Sequence, residues 1–235
     1  MFGWLGDAWD AVTGFFSSAW NLIKWVIQRV ISLVDFVLTL LGIMPPKKLK
    51  LRVIILIDDG KPIASRDEVQ AVVDVANTVF QDQMKVSLQG VNGSIVRMSS
   101  GNAPDYALDP ECDAGAFGQI FTQTGAWFRA RLATTAAGTF VGYGAPVTMF
   151  IVRDVQGKSG CAIGFLADYG YIDPGYLSGD EGSLLGLAHE IGHTCDLPHA
   201  GSGGTLMEPN PGPRKRKLKR WQKAVFRTSP HVTYF

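Results

Sequence analysis

HEIGHTCDLPH, residues 189–199, gathers three of the chain's four histidines into one short stretch. On an α-helix, positions i and i+4 share a face, about 6 Å apart along the axis. His189 and His193 therefore point the same way. Their ring nitrogens can grip one zinc ion at about 2.0–2.1 Å. Glu190 sits one residue after the first histidine, where it reaches a water at the ion without ligating the metal. One helix face cannot surround a tetrahedral ion, so a third ligand must come from elsewhere. His199 supplies it if the chain turns after Cys195, an approach that Pro198 stiffens. Three histidines leave a fourth position for water, the pattern of a catalytic rather than a structural zinc site. Such an ion lowers the pKa of water toward about 7, and Glu190 is placed to take the proton.

The competing reading is a helix with exposed histidines and an ordinary glutamate. Two observations weigh against it. The run SLLGLA, residues 183–188, is apolar and small, so the helix is buried, and buried imidazoles need partners. Gly186 and Gly192 lie inside it. Each costs about 1 kcal/mol relative to alanine, a cost that close packing explains.

The stretch resembles HExxHxxGxxH, the extended zinc motif of the metzincin metalloendopeptidases. That resemblance implies His189, His193 and His199 as zinc ligands and Glu190 as general base. GTLMEPN, residues 204–210, places Met207 where the family has its Met-turn. LKRWQKAVFRTSP, residues 218–230, resembles the family's closing helix, and the strand–helix–strand start at residue 49 suits its N-terminal subdomain. The resemblance covers residues 49–235. It implies an α+β fold with a mixed sheet and an active-site helix, and a polypeptide substrate lying along an edge strand with its scissile carbonyl facing Zn2+. There are two departures. Asp196 stands where the family has the glycine that turns the chain, a position favouring positive φ, which Asp and Asn tolerate next best. Pro209 stands where some members carry a tyrosine ligand, so no such ligand is expected.

The chain divides at Pro45-Pro46 into a hydrophobic N-terminal segment, 1–46, and a globular domain, 47–235. Four of the six tryptophans fall within the first 25 residues. Asp10, Ser17, Asn21, Lys24, Gln28, Ser32, Asp35 and Thr39 recur at helical spacing, which predicts one narrow polar stripe on an otherwise apolar helix ended by Gly42 and the prolines. Trp20 to Met44 is long enough to cross a bilayer. Lys24, Arg29 and Asp35 would each cost about 2.5–3.5 kcal/mol at its centre, so a helix lying on the membrane, or self-associating through the stripe, fits better than a lone span. A helix buried on its own domain or on a partner is the alternative. The start MFGWLGDAWD lacks a basic n-region and a small-residue cleavage site, so no cleavable signal peptide is expected and any export takes a non-standard route. A second functional reading makes this segment a membrane-disrupting or pore-forming effector with a secondary metal domain. A third makes it the docking segment of a packaged effector.

The net charge of +1 gives no whole-molecule field toward nucleic acid. The basic run RKRKLKRWQK, 214–223, is read as the solvated face of a terminal helix whose apolar side carries Leu218, Trp221 and Val225, with a membrane-facing role beside the N-terminal segment and nucleic-acid binding as the alternatives. Hydrophobic content of 46% allows a sizeable core. Residues 49–58 predict a strand covered on both faces. Ser65 to Glu68 forms a capping box opening a helix through Phe80. Strands at 85–88 and 94–98 read as a hairpin across Asn92-Gly93, followed by a loop over 99–115. A helix over 117–132, a core strand over 146–153, and an edge strand within the glycine-rich 157–182 follow. A helix over 183–194 closes the series, with Asp180 and Glu181 as its caps. Tyr169, Tyr171 and Tyr176 either line a substrate groove or pack together. Three cysteines allow at most one internal disulfide, and Cys161 is the candidate partner of a structural Cys195.

Overall fold

The apolar run after the double proline becomes the central strand of the computed structural model, which describes residues 30–112, 122–132, 144–163, 168–178, 182–200, 204–209 and 216–234. Strand β1 (Lys47–Asp58) alternates its side chains between two layers. Leu49, Leu51, Val53 and Ile55 enter one core, while Ile54 and Leu56 enter a second core on the other face. Both faces are thus covered, as the unbroken apolar run requires.

Along one edge of β1 run β3 (Val86–Gly90) and β4 (Val96–Asn102), both parallel to it. The expected hairpin is therefore overturned. Asn92 and Gly93 do take the positive φ of a tight turn, 56° and 92°, and Val91 bridges Ser94. The turn only throws out a short loop, after which the chain resumes its direction. A Cβ at Gly90 would lie 2.5 Å from the Ser94 backbone, so glycine lets the loop's two feet meet. Pairing with the buried β1 outweighs the local hairpin.

On the other edge, β5 (Val147–Ile151) pairs parallel with β1, β7 (Tyr169–Ile172) parallel with β5, and β6 (Gly160–Ile163) antiparallel with β7 at the sheet's end. The two-residue strands β2 (Lys61–Pro62) and β8 (Val232–Thr233) add antiparallel pairs to β1. The sheet is mixed, as expected. Helix α2 (Arg66–Met84) opens with the Ser65–Glu68 capping box and lays Val69, Val72, Val73, Ala76 and Phe80 on the first core.

The second core holds α3 (Asp105–Leu108) and α4 (Gln123–Arg129). The expected loop at 99–115 thus gives way to the end of β4 and a helical turn. Of the helix expected over 117–132, residues 117–121 lie outside the described residues. Also outside them are residues 1–29, the Asp180–Glu181 caps, and 210–215. Tyr169 and Tyr171 are fully buried around Phe128, ring centroids 5.6 and 5.4 Å away, so they pack rather than line a groove.

Cysteine pairing also differs from expectation. The disulfide joins Cys112 to Cys161 and ties the segment after α3 to the edge strand β6. Cys195 is a free, fully buried thiol. It packs in the first core, whereas Cys161 lies in the second.

Asp35 and Thr39, at the described end of the polar stripe, face inward. Helix α1, residues 30–40, ends in a Schellman motif: Ile43 N–H donates to Leu38 O and Gly42 N–H to Thr39 O, with Gly42 at φ 88°. Asp35 is 1% exposed and accepts from Arg227 Nη2 at 2.9 Å and Tyr234 OH at 2.8 Å, and Lys47 Nζ lies 2.9 Å away. Arg227 also donates to Thr39 Oγ1, Met84 O and Pro45 O. Burial alone would raise the Asp35 carboxyl, but Lys47 and Arg227 outweigh it and hold it below the ordinary range. Helix α6 (Arg220–Thr228) supplies Arg227. Its apolar side uses Leu218, Ala224 and Phe226, while Trp221, expected there, is 40% exposed. Among the described residues no helix is long and apolar enough to cross a membrane.

The pairing is checked by counting thiols. Unfolded, unreduced protein should show one reactive thiol, lost in Cys195→Ser and retained in the Cys112→Ser/Cys161→Ser double variant only as that same thiol. Closing a loop of 49 residues stabilises by about 4 kcal/mol on the chain-entropy argument, so the double variant should unfold about 2–4 kcal/mol more easily.

Candidate metal centre

A single 3₁₀ turn, Ser183–Leu185, leads into α5 (Gly186–Thr194), whose residues are buried save half-exposed His193. Both helical glycines are explained by what approaches them. A Cβ at Gly186 would sit 2.2 Å from the Tyr176 ring, and one at Gly192 would sit 2.6 Å from Met207 Sδ. Met207 itself is fully buried against this helix.

The helix ends where the sequence needs it to. Asp196 N–H donates to His193 O and Leu197 N–H to Gly192 O, a Schellman motif with Asp196 in the C′ position. Asp196 takes φ 68°, the left-handed conformation expected of the residue replacing glycine. This reversal brings His199 back over the helix face.

The ring nitrogens of the histidines then converge. His189 Nε2 lies 2.9 Å from His193 Nε2 and 3.3 Å from His199 Nε2, and His193 Nε2 lies 3.1 Å from His199 Nε2. A tetrahedral ion with ligands at about 2.0–2.1 Å sets its donors about 3.3–3.4 Å apart, close to this triangle. Among the described residues this is the group of His, Cys, Asp and Glu side chains able to hold a metal ion.

Protonation follows from the partners. His189 Nδ1 is 2.7 Å from Leu206 O, and His193 Nδ1 is 2.7 Å from Leu197 O. A carbonyl oxygen only accepts, so both Nδ1 atoms carry the hydrogen. Burial lowers both rings' pKa, that of His193 to about 4, so they are neutral at pH 7. Their Nε2 lone pairs thus face one another with no proton between them. His199 brings a third imidazole nitrogen to the same point, so the donor set fits a divalent metal. His199 is exposed and marks the side on which the site opens to solvent.

Glu190 is 4% exposed and points to the edge strand rather than into the triangle. A Cβ on Gly160 of β6 would lie 2.7 Å from its Oε1 and 2.7 Å from Tyr176 Cε2. Burial pushes its carboxyl up to about 8, opposed by the charge of Lys158 and a backbone hydrogen bond from Ala162. A cation in the triangle would add to that opposition. Burial, with Glu190 beside it, pushes the Tyr176 hydroxyl up to about 12. Cys195, the C-cap of α5, has its thiol pushed well above its ordinary value by burial. His231, the histidine outside the motif, is elsewhere: its Nε2 is 3.2 Å from Asp168 and its Nδ1 2.9 Å from Ala145 O.

The three histidines singled out in the sequence come together, and Glu190 lies beside them on the same helix. Sequence reading did not find Gly160, nor Tyr176 as the wall of the Glu190 site, nor the two carbonyls that fix the ring tautomers. A glycine needed for one close approach looks like any other in a glycine-rich stretch.

No family model matches the chain, and no curated protein matches it in sequence. Solved structures of similar outline include metalloproteinase-II from Bacteroides fragilis, 17% identical with a TM-score of 0.49 over 77% of this chain and 52% of that one. Mature mirolysin from Tannerella forsythia is 12% identical, with a TM-score of 0.45 over 78% and 91%. Archaemetzincin from Methanopyrus kandleri is 16% identical, with a TM-score of 0.37 over 78% and 88%. The chain spans about half the length of the first of these. At these values the likeness assigns no residue role.

Gly160→Ala tests the packing around Glu190. The added methyl meets two atoms at 2.7 Å and should cost about 1–3 kcal/mol in an unfolding titration. Glu190→Ala should recover part of that loss in the double variant, because the two side chains share one space. Additive losses would show that they do not.

Proposed function

We propose that the protein is a zinc-dependent endopeptidase of metzincin type. The observation that carries this reading is the triangle of three Nε2 atoms, 2.9–3.3 Å apart, with a carboxylate on the next residue of the same helix. His189, His193 and His199 would hold Zn2+. The histidine set supports zinc because neutral imidazoles suit it and three protein ligands leave a position open. When bound, the ion would supply Lewis acidity to the reacting carbonyl and to water.

The chain's own residues supply the rest. A Glu190 carboxylate oxygen takes a proton from the attacking water and later returns it to the leaving amine. Gly160 and Tyr176 limit where that carboxylate can swing. Leu197 O and Leu206 O keep two imidazoles turned with Nε2 toward the ion. Met207 fills the space under the helix, the role the family's Met-turn methionine would have.

The substrate would be a polypeptide. Strand β6 ends the sheet's strand order beside Glu190, and an extended peptide can add to such an edge through main-chain hydrogen bonds. That arrangement favours cleavage within a chain rather than at its terminus.

Glu190→Ala should keep stoichiometric zinc while casein or peptide-library cleavage falls by about 10²–10⁴-fold. Undiminished cleavage with zinc retained would remove Glu190 from the chemistry.

A further inference from the structure

Helix α1 is turned inside out with respect to its own domain. Asp35 and Thr39, four positions apart, are each 1% exposed and bonded to Arg227. The opposite side is apolar and bare: Val30 is 59% exposed, Leu33 68%, Val34 54%, Val37 49% and Leu41 69%, with Ile43 following at 52%. These positions fall at i, i+3, i+4, i+7 and i+11, one face of the helix. The buried ion cluster holds the helix by its polar stripe, so that face cannot roll inward.

We infer that this face is a docking surface for an anionic lipid membrane. A contiguous apolar helix face on a soluble protein marks an interaction site, and three observations choose lipid as the occupant. First, a cationic edge adjoins it. Arg220 Nη1 lies 3.4 Å from Leu40 O, so the exposed start of α6, with Lys217, Lys219 and Arg220, borders the end of α1. Cations beside an apolar helix face match anionic headgroups above acyl chains. Second, Trp221, the residue after Arg220, is 40% exposed, and tryptophan favours the boundary between headgroups and acyl chains. Third, the polar stripe continues upstream in the sequence through Ser17, Asn21, Lys24 and Gln28, among residues that are otherwise mostly apolar. The first 29 residues are rich in apolar side chains and carry four tryptophans, a composition that suits the same boundary. A second copy seated on this face would bring two sets of these cations together. The inference stands apart from the zinc reading, since it uses none of the residues at the metal centre.

The test is co-sedimentation of the full chain with phosphatidylcholine vesicles, with and without phosphatidylglycerol. Wild type should bind the phosphatidylglycerol vesicles, less at raised salt. Leu33→Glu/Val37→Glu should lower the partition coefficient by about tenfold or more. Lys219→Glu/Arg220→Glu should remove the preference for phosphatidylglycerol. All four positions are exposed or on the outer face, and near-ultraviolet circular dichroism checks that the fold is kept. No binding to either vesicle would overturn the proposal. Binding unchanged in Leu33→Glu/Val37→Glu would overturn it too, placing attachment elsewhere in the chain. So would a lipid-free dimer in light scattering that the same variant splits, since the occupant would then be a second copy.

Discussion

Three imidazole nitrogens converge on one point, and the lone pairs of His189 and His193 there repel unless a proton or a cation lies between them. The site depends on that constraint. Burial opposes a further proton on either ring, and it outweighs the backbone carbonyls at Nδ1, which by themselves favour the imidazolium. Nor can the rings swing away, because α5 is wedged between Tyr176 at Gly186 and Met207 at Gly192. The fold thus stores an electrostatic demand that a divalent cation meets. The reversal at Asp196 brings the third nitrogen up.

The sheet exists to hold this helix and the edge strand at a fixed separation. β1 buries both faces, and its two cores set the heights of α2 and α5 on one side and of α3 and α4 on the other. The Cys112–Cys161 disulfide pins β6, and β6 carries the glycine against Glu190. A second electrostatic knot, Asp35 with Lys47 and Arg227, locks α1, the start of β1 and the C-terminal helix together. Removing one member of such a buried set strands its partners' charge, at about 3–5 kcal/mol. The two knots share no residue.

The metal centre was legible in sequence because its signal is local. The i and i+4 spacing, the apolar run before His189 and the turn-tolerant Asp196 each make sense within a few residues. The central strand and the Ser65 capping box were legible for the same reason. What escaped the sequence depends on distant partners. Asn92-Gly93 has the chemistry of a hairpin turn, and it makes that turn, yet β3 and β4 pair with β1 instead of with each other. Spacing could not say that Cys161 faces the second core and so meets Cys112. The polar stripe of α1 was visible, but its meaning was inverted: Asp35 looked like a cost to a membrane helix and is a docking bond to Arg227. Arg227 itself reads as one more surface charge in a basic tail and is 0% exposed.

The most direct measurement of the central claim is a zinc titration of the metal-stripped protein, followed by competition with a chromophoric chelator. The account predicts one ion per chain, a marked rise in melting temperature on binding, and loss of tight binding in His199→Ala. Metal-stripped protein that takes up no zinc, or a His199→Ala variant that binds it as tightly as wild type, would contradict it.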